Sequence, residues 1–385
     1  MRSAGDCRAS LQPGLEQPRV TRLVVISHPA VLPVNQLVYG ELLGRGWDVR
    51  LVVPARWRHD YEPYEIRPQP LPEVASHMTP LPVMLAGRPQ RHVYRVNPLK
   101  LLRGMRPDVL FLEQEPFALV TAQWAVAAAW LDVPFGVQQA ENLDRALPWA
   151  VRALRARVLS SAAFVAARSP RAAELARSWG AHGEVRLVPH HVPAWDSERR
   201  TRDRFTVGYA GRLSAEKGLD TLVSAVRRLD APVDLLVAGD GPLRPWLERT
   251  DLGRDRLLLL RTGVAHEEMA AAYAEMDVLV LPSRTTPRWA EQFGRVLVEA
   301  LWCGVPVVGS DSGEIPWVVQ VTGGGLIFPE GDELALAAVL DALRMDPKRR
   351  EELAEEGRRR VAGLFAVDAV ADTFEQTLAA VGVNR

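Results

Sequence analysis

The chain has 385 residues, of which 48% are hydrophobic and 24% charged. That length exceeds what one hydrophobic core usually organises, so two domains are predicted, and the composition excludes extensive disorder. The formal net charge is zero, which argues against nucleic acid as the main partner because binding a phosphate backbone requires a basic surplus. Residues 1–200 carry a charge of +7 and residues 201–385 carry −7. The basic half therefore suits an anionic acceptor or membrane surface, or simply carries solvated arginines.

Two cysteines, Cys7 and Cys303, are too few for a disulfide framework, and neither has metal-ligand spacing. A cytoplasmic protein is expected, with the charge asymmetry allowing peripheral contact at the inner face of the membrane. Residues 1–18 contain no apolar run and predict a loose tail rather than a signal peptide. The longest apolar stretch, residues 117–131, is too short to span a bilayer, so no transmembrane helix is predicted.

Short β-branched runs alternate with amphipathic stretches in the first half, a pattern typical of parallel strands joined by crossover helices. The predicted fold class is therefore α/β. Residues 61–90 are dense in proline without a clear period, and they predict a long irregular excursion of the kind that often contacts substrate. The strands predicted in this half lie at residues 23–26, 49–53, 109–112, 135–138, 164–167 and 185–188.

Residues 193–204 are polar and turn-rich, and a second alternating series begins after them. Its predicted strands lie at residues 205–210, 233–238, 257–260, 278–281, 305–308 and 326–328, followed by helices from residue 332 to about 381. A break at residues 365–368 would let the last helix turn back onto the first domain. The expected organisation is a tail at 1–18, one Rossmann-like domain at 19–195, a second at 196–365 and a returning helix at 366–385.

The octapeptide Gly-Arg-Leu-Ser-Ala-Glu-Lys-Gly at residues 211–218 follows a predicted strand and precedes a helix that begins near Leu219. Open α/β sheets bind ligands at the carboxyl ends of their strands. Gly211 lets the backbone approach a ligand, and the cations of Arg212 and Lys217 can reach both phosphates of a diphosphate. The alternative is that both cations are solvated loop charges.

A second candidate site, Glu-Gln-Phe-Gly-Arg-Val-Leu-Val-Glu-Ala-Leu at residues 291–301, follows the strand predicted at 278–281. Glu291 and Glu299 are eight positions apart, which on one continuous helix places them within about 80° of each other, so that they can contact two ends of one ligand. Phe293 and Gly294 at the helix start would present backbone N–H groups to an anion. The alternative is a solvated Glu291 and a buried, paired Glu299.

Lesser turns lie at other predicted strand ends: Gly239-Asp240-Gly241-Pro242, Thr262-Gly263-Val264, Pro282-Ser283 and Ser312-Gly313-Glu314. With the two sites above, their order resembles the group 1 family of retaining glycosyltransferases. The resemblance implies the GT-B fold, in which two Rossmann-like parallel-sheet domains face each other across a cleft. Matching stretches run from residue 208 through residue 365, and the strand–helix rhythm of the first half extends the resemblance over nearly the whole chain.

The resemblance implies a hexosyltransferase of glycan biosynthesis that moves a sugar from a nucleoside-diphosphate sugar to an acceptor. Residues 19–195 would be the acceptor side and residues 196–365 the donor side. Arg212 and Lys217 would hold the diphosphate, Glu299 the ribose and Glu291 the donor sugar, and the catalytic residues would be Glu291, Arg212 and Lys217. The remaining donor contacts would come from Gly211, from the backbone of Phe293, Gly294 and Arg295, and from Val264 and Ser283 near the nucleobase.

The first half departs from the family pattern. Prolines replace the usual glycines after the first strand, at residues 27–35, and residues 138–142 read Gln-Gln-Ala-Glu-Asn where many members have a histidine. One or more of four polar residues at this rim is expected to face the acceptor, although His28 before proline could equally stabilise its loop. The four acceptor-side candidates are His28, Glu115, Gln139 and Glu141.

No metal and no cofactor is expected beyond the nucleotide-sugar co-substrate, because no residue cluster has metal-ligand spacing and cations replace a metal at the diphosphate. Residues 91–106 interleave apolar side chains with arginine and lysine, which predicts a peripheral patch and an amphiphilic or anionic acceptor such as a lipid-linked sugar. Such apolar residues are more often core. Two alternatives remain open: a nucleotide-sugar epimerase of similar architecture, and an inactive GT-B-like binding protein.

Overall fold

The structure is a computed structural model, and it describes residues 20–58, 65–196, 200 and 202–385. The tail predicted at residues 1–18 lies outside the described residues, as do residues 61–64 of the predicted excursion. The described chain forms two parallel sheets, each packed between helices, so the predicted α/β class is confirmed.

The first domain is built on a seven-stranded parallel sheet. The strands of this domain are β1 (Arg22–Ser27), β2 (Asp48–Pro54), β3 (Trp57–Arg58), β4 (Glu65–Ile66), β5 (Met78–Leu81), β6 (Val83–Met84), β7 (Val93–Tyr94), β8 (Val109–Glu113), β9 (Phe135–Gln139), β10 (Phe164–Ala167) and β11 (Glu184–Leu187). The sheet order is β11-β10-β9-β8-β1-β2-β5. Its central strands are apolar on both faces because helices cover both faces of a parallel sheet. Residues 109–112 of β8, all buried and apolar, illustrate this.

Helices of the first domain cover the two faces of its sheet. They are α1 (Leu37–Gly44), α2 (Pro98–Met105), α3 (Leu119–Trp130), α4 (Trp149–Ser161) and α5 (Pro170–Ser178). Two of them begin at a capping side chain followed by proline: Asn97 caps α2 and Ser169 caps α5, each accepting a hydrogen bond from a backbone N–H of the first turn. The two caps fix where these helices start.

The predicted irregular excursion at residues 61–90 is wrong in part. Strand β5 falls inside it and forms the edge of the sheet, paired with β2 in parallel. The short antiparallel pairs β3–β4 and β6–β7 also involve it. Pro80 lies within β5, and proline, which lacks an N–H, is tolerated on an edge strand but obscures the alternating pattern in the sequence.

The second domain repeats the arrangement with six parallel strands. They are β12 (Phe205–Ala210), β13 (Val233–Ala238), β14 (Leu258–Arg261), β15 (Val278–Leu281), β16 (Val307–Ser310) and β17 (Gly325–Phe328), in the order β14-β13-β12-β15-β16-β17. Its helices are α6 (Leu219–Arg228), α7 (Arg244–Leu247), α8 (Met269–Tyr273), α9 (Arg295–Trp302), α10 (Ile315–Thr322), α11 (Glu333–Met345) and α12 (Pro347–Leu364). Every strand predicted in either half is found within two residues of its predicted ends.

The chain crosses between the domains twice, and the two crossings touch. Val192 on the first crossing donates its backbone N–H to the carbonyl of Phe365 on the second, at 2.7 Å, and it forms a parallel bridge with Ala366. After the second crossing, helix α13 (Val367–Ala380) packs against the first domain, where the ring of Phe374 lies 5.0 Å from that of Phe111. Residues at the end of the chain therefore complete the core of the first domain.

Candidate functional site

The strand order of the second sheet reverses between β12 and β15, and the loops that follow these two strands face each other. Such a switch point leaves a crevice at the carboxyl ends of the strands. Gly218, at the end of the first loop, has a φ of +66°, and a Cβ added there would lie 1.9 Å from the carbonyl oxygen of Pro282 on the second. Only glycine fits, and the contact fixes the two loops against one another.

Lys217 and Glu291 meet in this crevice. The Lys217 Nζ lies 2.6 Å from Oε2 of Glu291, which also accepts a hydrogen bond of 2.8 Å from the Ser283 hydroxyl. The Trp289 ring covers the ammonium group, its centroid 4.9 Å from Nζ. Glu291 is only 7% exposed, so the pair occupies a largely water-excluded position where its electrostatic interactions are strong.

Arg212 lies in the same loop as Lys217 and has a carboxylate neighbour of its own. Its Nε donates to the Ser214 hydroxyl at 3.0 Å, and its guanidinium forms an ion pair with Glu216. The Ser214 hydroxyl in turn donates to Glu216 at 2.8 Å. Each of the two predicted phosphate-binding cations is therefore oriented by a carboxylate, and an incoming diphosphate would compete with these carboxylates for the cations.

The predicted placement of Glu291 and Glu299 on one helix is wrong. Helix α9 begins at Arg295, and Glu291 lies four residues earlier in the preceding loop. Gly294 is the residue before the helix and has a left-handed φ of +75°, so the turn it makes ends the periodicity on which the spacing argument depended. Glu291 is held instead by its backbone, whose carbonyl accepts from the N–H of Glu314 at 2.9 Å and from the side chain of Asn142 at 2.8 Å.

Glu299 is buried within the second domain and paired, as the alternative prediction had it. It accepts hydrogen bonds from His266 Nε2 at 3.0 Å and from the Tyr273 hydroxyl at 2.7 Å. Burial alone would raise the pKa of this carboxyl, but the hydrogen bond and charge of His266, with Arg295 and Tyr273, hold the pKa below its ordinary value. Glu299 is therefore an ionised acceptor at neutral pH.

The other predicted donor residues are divided between two places. Ser283 is fully buried and belongs to the Lys217–Glu291 pair, whereas Val264 is half-buried on the turn after β14. Arg295, predicted to act through its backbone, extends its guanidinium to the first domain, where it contacts Asn35 at 3.2 Å and His190 at 3.0 Å. A cavity of about 200 Å³ opens at this contact between the domains.

The acceptor-side candidates lie at the carboxyl ends of β1, β8 and β9. His28 Nδ1 lies 2.8 Å from Gln114 Oε1, and its ring packs 4.8 Å from that of Trp57. Gln139 is fully buried and donates to the carbonyl of Glu141 at 2.9 Å, while the Glu141 carboxylate forms an ion pair with Arg145. The side chains of Gln139 and Glu141 are thus engaged within their own loop.

Glu115 differs from Glu141 because its carboxyl forms no ion pair with any of the described residues. Burial raises its pKa to about 8, against hydrogen bonds to Oε1 from the N–H groups of Ala140 at 2.9 Å and Glu141 at 3.2 Å. Its Oε2 has no hydrogen-bond partner among the described residues. A carboxyl with this pKa at the cleft edge can hold or give up a proton near neutral pH.

An ion pair missed by the sequence analysis lies at the same rim. The guanidinium of Arg168, which follows β10, donates to Glu113 at 2.8 Å and to Gln138 at 2.6 Å, and the hydroxyl of Ser27 donates to Glu113 at 2.6 Å. All four side chains stand at or just after the carboxyl end of a strand. A search for polar residues at every predicted strand end would have found them.

Two parallel sheets in Rossmann-type order, connected by paired crossings and with cations at the switch point of the second, define the GT-B class. Solved structures support this assignment. Sucrose-phosphate synthase from Thermosynechococcus elongatus superposes with a TM-score of 0.67 at 20% identity, covering 92% of this chain and 98% of the other. Anabaena Alr3699/HepE in complex with UDP-glucose gives 0.66 at 16% identity, covering 93% and 99%. The predicted GT-B fold is confirmed.

Residues 204–346 match the family described as "Glycosyl transferases group 1". A D-inositol 3-phosphate glycosyltransferase from Xylanimonas cellulosilytica is 34% identical over 248 residues, 57% of this chain and 58% of that protein. A GDP-mannose-dependent alpha-(1-6)-phosphatidylinositol monomannoside mannosyltransferase from Mycolicibacterium smegmatis is 32% identical over 180 residues, 43% and 47% of the two chains. The matches thus span about half the length of these relatives. The resemblance to group 1 glycosyltransferases is confirmed.

Proposed function

We propose that this protein is a retaining glycosyltransferase that moves a sugar from a nucleoside-diphosphate sugar to an acceptor held by the first domain. The observation that carries the proposal is the meeting of Lys217 with Glu291, beside Arg212, at the switch point of the second sheet. Such a site offers cations to a diphosphate and a carboxylate to the attached sugar. Similarity to proteins named as glycosyltransferases supports transfer over epimerisation or mere binding.

In the proposed reaction the bond between the anomeric carbon and the diphosphate oxygen breaks, and the acceptor oxygen bonds to that carbon on the same face. The acceptor's proton passes to the leaving phosphate, so no protein nucleophile is needed. Negative charge grows on the leaving phosphate as the bond breaks. Arg212, Lys217 and the N-terminus of α9 at Gly294 would stabilise that charge by groups that are already in place.

The same cations are the reason to propose that no divalent metal is required. The Arg212 guanidinium, the Lys217 ammonium and the N-terminus of α9 would supply positive charge where metal-dependent enzymes bind a metal ion. The Glu299 carboxylate, ionised and buried, is proposed to accept hydrogen bonds from the ribose hydroxyls, with Val264 near the base. Neither the base nor the sugar follows from these contacts, since Alr3699/HepE is described with UDP and the mycobacterial relative as GDP-mannose-dependent.

For the acceptor we propose an anionic or lipid-linked molecule, such as one that carries a phosphate group. The basic surplus of the first 200 residues supports this, as do relatives whose names include inositol 3-phosphate and phosphatidylinositol monomannoside. A cytoplasmic protein in peripheral contact with the inner face of the membrane is part of the proposal. None of the described helices has the length and hydrophobicity that crossing a membrane requires.

The decisive experiment measures release of nucleoside diphosphate from a panel of UDP-, GDP- and ADP-sugars, with and without candidate acceptors. The panel follows mass spectrometry of any ligand retained through purification. Acceptor-dependent release, with a product of retained anomeric configuration by NMR, is expected. A changed sugar without an acceptor would indicate an epimerase, and nucleotide binding without turnover of any donor would indicate a binding protein. Either result would overturn the proposal.

A further inference from the structure

One face of the first domain exposes large apolar side chains in an ordered row. On helix α3, Leu119, Val126 and Trp130 are 48%, 58% and 75% exposed. Because they are seven and four positions apart, they lie along one side of the helix. Trp149, the first residue of α4, is 76% exposed. Helix α3 packs against α2 on one side and α4 on the other, so the row runs along the middle of a three-helix face.

The charges on the three helices of this face have one sign, and the nearest exposed carboxylates, Asp132 and Asp144, lie in the loops after α3 and before α4. Helices α2, α3 and α4 contain no Asp or Glu in their sequences. Their exposed cations lie on the two flanking helices, Lys100 and Arg103 on α2 and Arg152 and Arg157 on α4. In the part of the chain that the structure describes, none of these four forms an ion pair within 4.0 Å.

The opposite face of the same sheet has the reverse composition. Helix α13 there exposes Asp368 and Asp372 and carries Glu375, and Arg45 forms ion pairs with two of these three carboxylates. The α2–α3–α4 face is therefore more cationic than the α13 side of the same sheet. An apolar row flanked by unpaired cations is complementary to a surface that is negatively charged outside and apolar beneath.

The patch predicted at residues 91–106 is corrected by this arrangement. Its apolar side chains pack against the core of the first domain: Tyr94 and Leu102 are buried, and Leu99, Leu101 and Met105 are half-buried. What α2 presents to solvent is its charge. The exposed apolar side chains come instead from α3 and α4. Because α3 is apolar over almost its whole length, hydrophobic periodicity does not predict which of its sides is exposed.

We propose that the α2–α3–α4 face docks on a bilayer containing anionic phospholipids, with Val126, Trp130 and Trp149 in the interface and the four cations against the headgroups. Tryptophan favours this interfacial depth because its ring is apolar and its N–H polar. Helices α3 and α4 begin at the carboxyl end of the sheet, where the cleft lies. Docking along this face would place Trp149, at the cleft end of the domain, and Trp130, the last residue of α3, against the membrane together. The proposal concerns binding and does not depend on the transfer reaction.

The test is co-sedimentation of the full chain with vesicles of phosphatidylcholine alone or with about one-third phosphatidylglycerol, at low and high salt and without any sugar donor. Binding is expected only with the anionic vesicles and should weaken at high salt. Each cation near such a surface strengthens binding about fivefold. Replacing Lys100, Arg103, Arg152 and Arg157 together by Gln should therefore weaken it at least about a hundredfold.

The apolar part has its own variant, Trp130→Ser with Trp149→Ser, which should weaken anionic-vesicle binding about tenfold or more. Lipids brominated on their acyl chains should quench part of the tryptophan fluorescence of the bound wild type, and this quenching should disappear in the double variant. Matched controls lie on the second domain: Leu334→Ser with Met345→Ser for exposed apolar residues, and Gln at Lys348, Arg349, Arg358 and Arg359 for exposed cations. Thermal melting confirms that each variant is folded.

Three outcomes would overturn the proposal. One is absence of binding to anionic vesicles at low salt. Another is equal loss of binding in the control variants, which would indicate nonspecific charge attraction. The third is a wild-type dimer in sedimentation velocity that the tryptophan variant dissolves, which would mean that a second copy of the chain covers this face. Failure of any of these kinds would also remove the membrane contact from the proposed function, but it leaves donor turnover unaffected and is therefore distinguishable from failure of the proposed transfer reaction.

Discussion

The two domains share one strand order but build the rims of their sheets differently. At the rim of the second sheet, the side chains of Arg212, Lys217 and Glu291 come from the two loops that follow β12 and β15. At the rim of the first, the buried group of Ser27, Glu113 and Arg168 comes from the carboxyl ends of three separate strands. Both rims contain ion pairs, but Arg212 and Lys217 are only half-buried and can reach a ligand, whereas Arg168 is buried among its partners. Under the proposed function, the second rim is therefore the one suited to stabilising charge on a ligand.

The largest expected effect comes from removing the donor-side cations. Lys217→Ala and Arg212→Ala should each weaken nucleoside-diphosphate binding by roughly 1.5–3 kcal/mol, the range for hydrogen bonds to charged groups. Turnover should fall further, about a hundredfold to a thousandfold, because the charge they stabilise grows in the transition state. Titration calorimetry and steady-state kinetics measure the two effects. Arg228→Ala, an exposed cation on α6, is the control, and unchanged affinity in both test variants would refute the assignment.

A second pair of variants separates the two glutamates. Glu299→Gln should weaken binding of every nucleotide with an intact ribose, and should bind 2′- and 3′-deoxy nucleotides no worse than the wild type does. Glu291→Gln should bind free nucleotide normally and lose transfer, because this carboxylate contacts the Lys217 ammonium and is proposed to face the sugar. Calorimetry with ribo- and deoxynucleotides, alongside turnover, gives the comparison. An equal loss of free-nucleotide affinity in both variants would contradict the division.

Two glycines with the same backbone angle test how firmly the donor loops are held. Gly218 and Gly263 both have a φ of +66°, but a Cβ at Gly218 meets the Pro282 carbonyl whereas none of the described atoms lies within 4 Å of one at Gly263. Gly263→Ala should cost about 1 kcal/mol of unfolding free energy, for the left-handed backbone alone. Gly218→Ala should cost about 2–4 kcal/mol because overpacking adds to that strain. Equal midpoint shifts in denaturant unfolding would show that the loops do not press on each other.

On the acceptor side, Glu115 makes stability depend on pH. Its pKa in the folded protein, about 8, lies above the ordinary 4.5. The protonated carboxyl therefore contributes fully to the free energy of unfolding below pH 4.5, and this contribution is lost as pH rises through 8. Relative to Glu115→Gln, the wild type should lose up to about 1.4 kcal/mol per pH unit across that interval. Denaturant unfolding at several pH values measures this. Glu355→Gln, at an exposed position, should run parallel to the wild type, and a parallel Glu115→Gln curve would argue against the raised pKa.

The smallest expected effect is none at all. A chelator should leave transfer largely intact, since Arg212 and Lys217 are proposed to take the place of a metal at the diphosphate. Initial rates are compared in excess chelator and in added magnesium or manganese. Complete loss of activity in chelator, restored by either ion, would show that transfer requires a divalent metal and would refute this prediction.

The sequence predicted the sheets well because buried parallel strands read as short apolar runs, and β12, β13 and β15 were found at their predicted bounds. It also placed Arg212 and Lys217 in one loop at the end of β12, since the glycines and cations of that loop are close together in the chain. It failed where distance along the chain separates partners. Arg168 lies 55 residues from Glu113, and Tyr273 lies 26 residues from Glu299. The sequence pattern also placed Glu291 on the helix. The turn at Gly294 occupies a single residue, so the spacing of hydrophobic residues does not show that the helix begins only at Arg295.

The return of helix α13 to the first domain has a consequence for the order in which the protein is made. The ribosome completes the strands of the first sheet early, but Phe374 and its neighbours, which cover Phe111 and Phe164 in that sheet, are synthesised only after the second domain. The second domain therefore has its own core available before the first does, contrary to the usual N-terminal-first order. Until helix α13 emerges, the nascent first domain exposes an apolar surface to which a chaperone could bind.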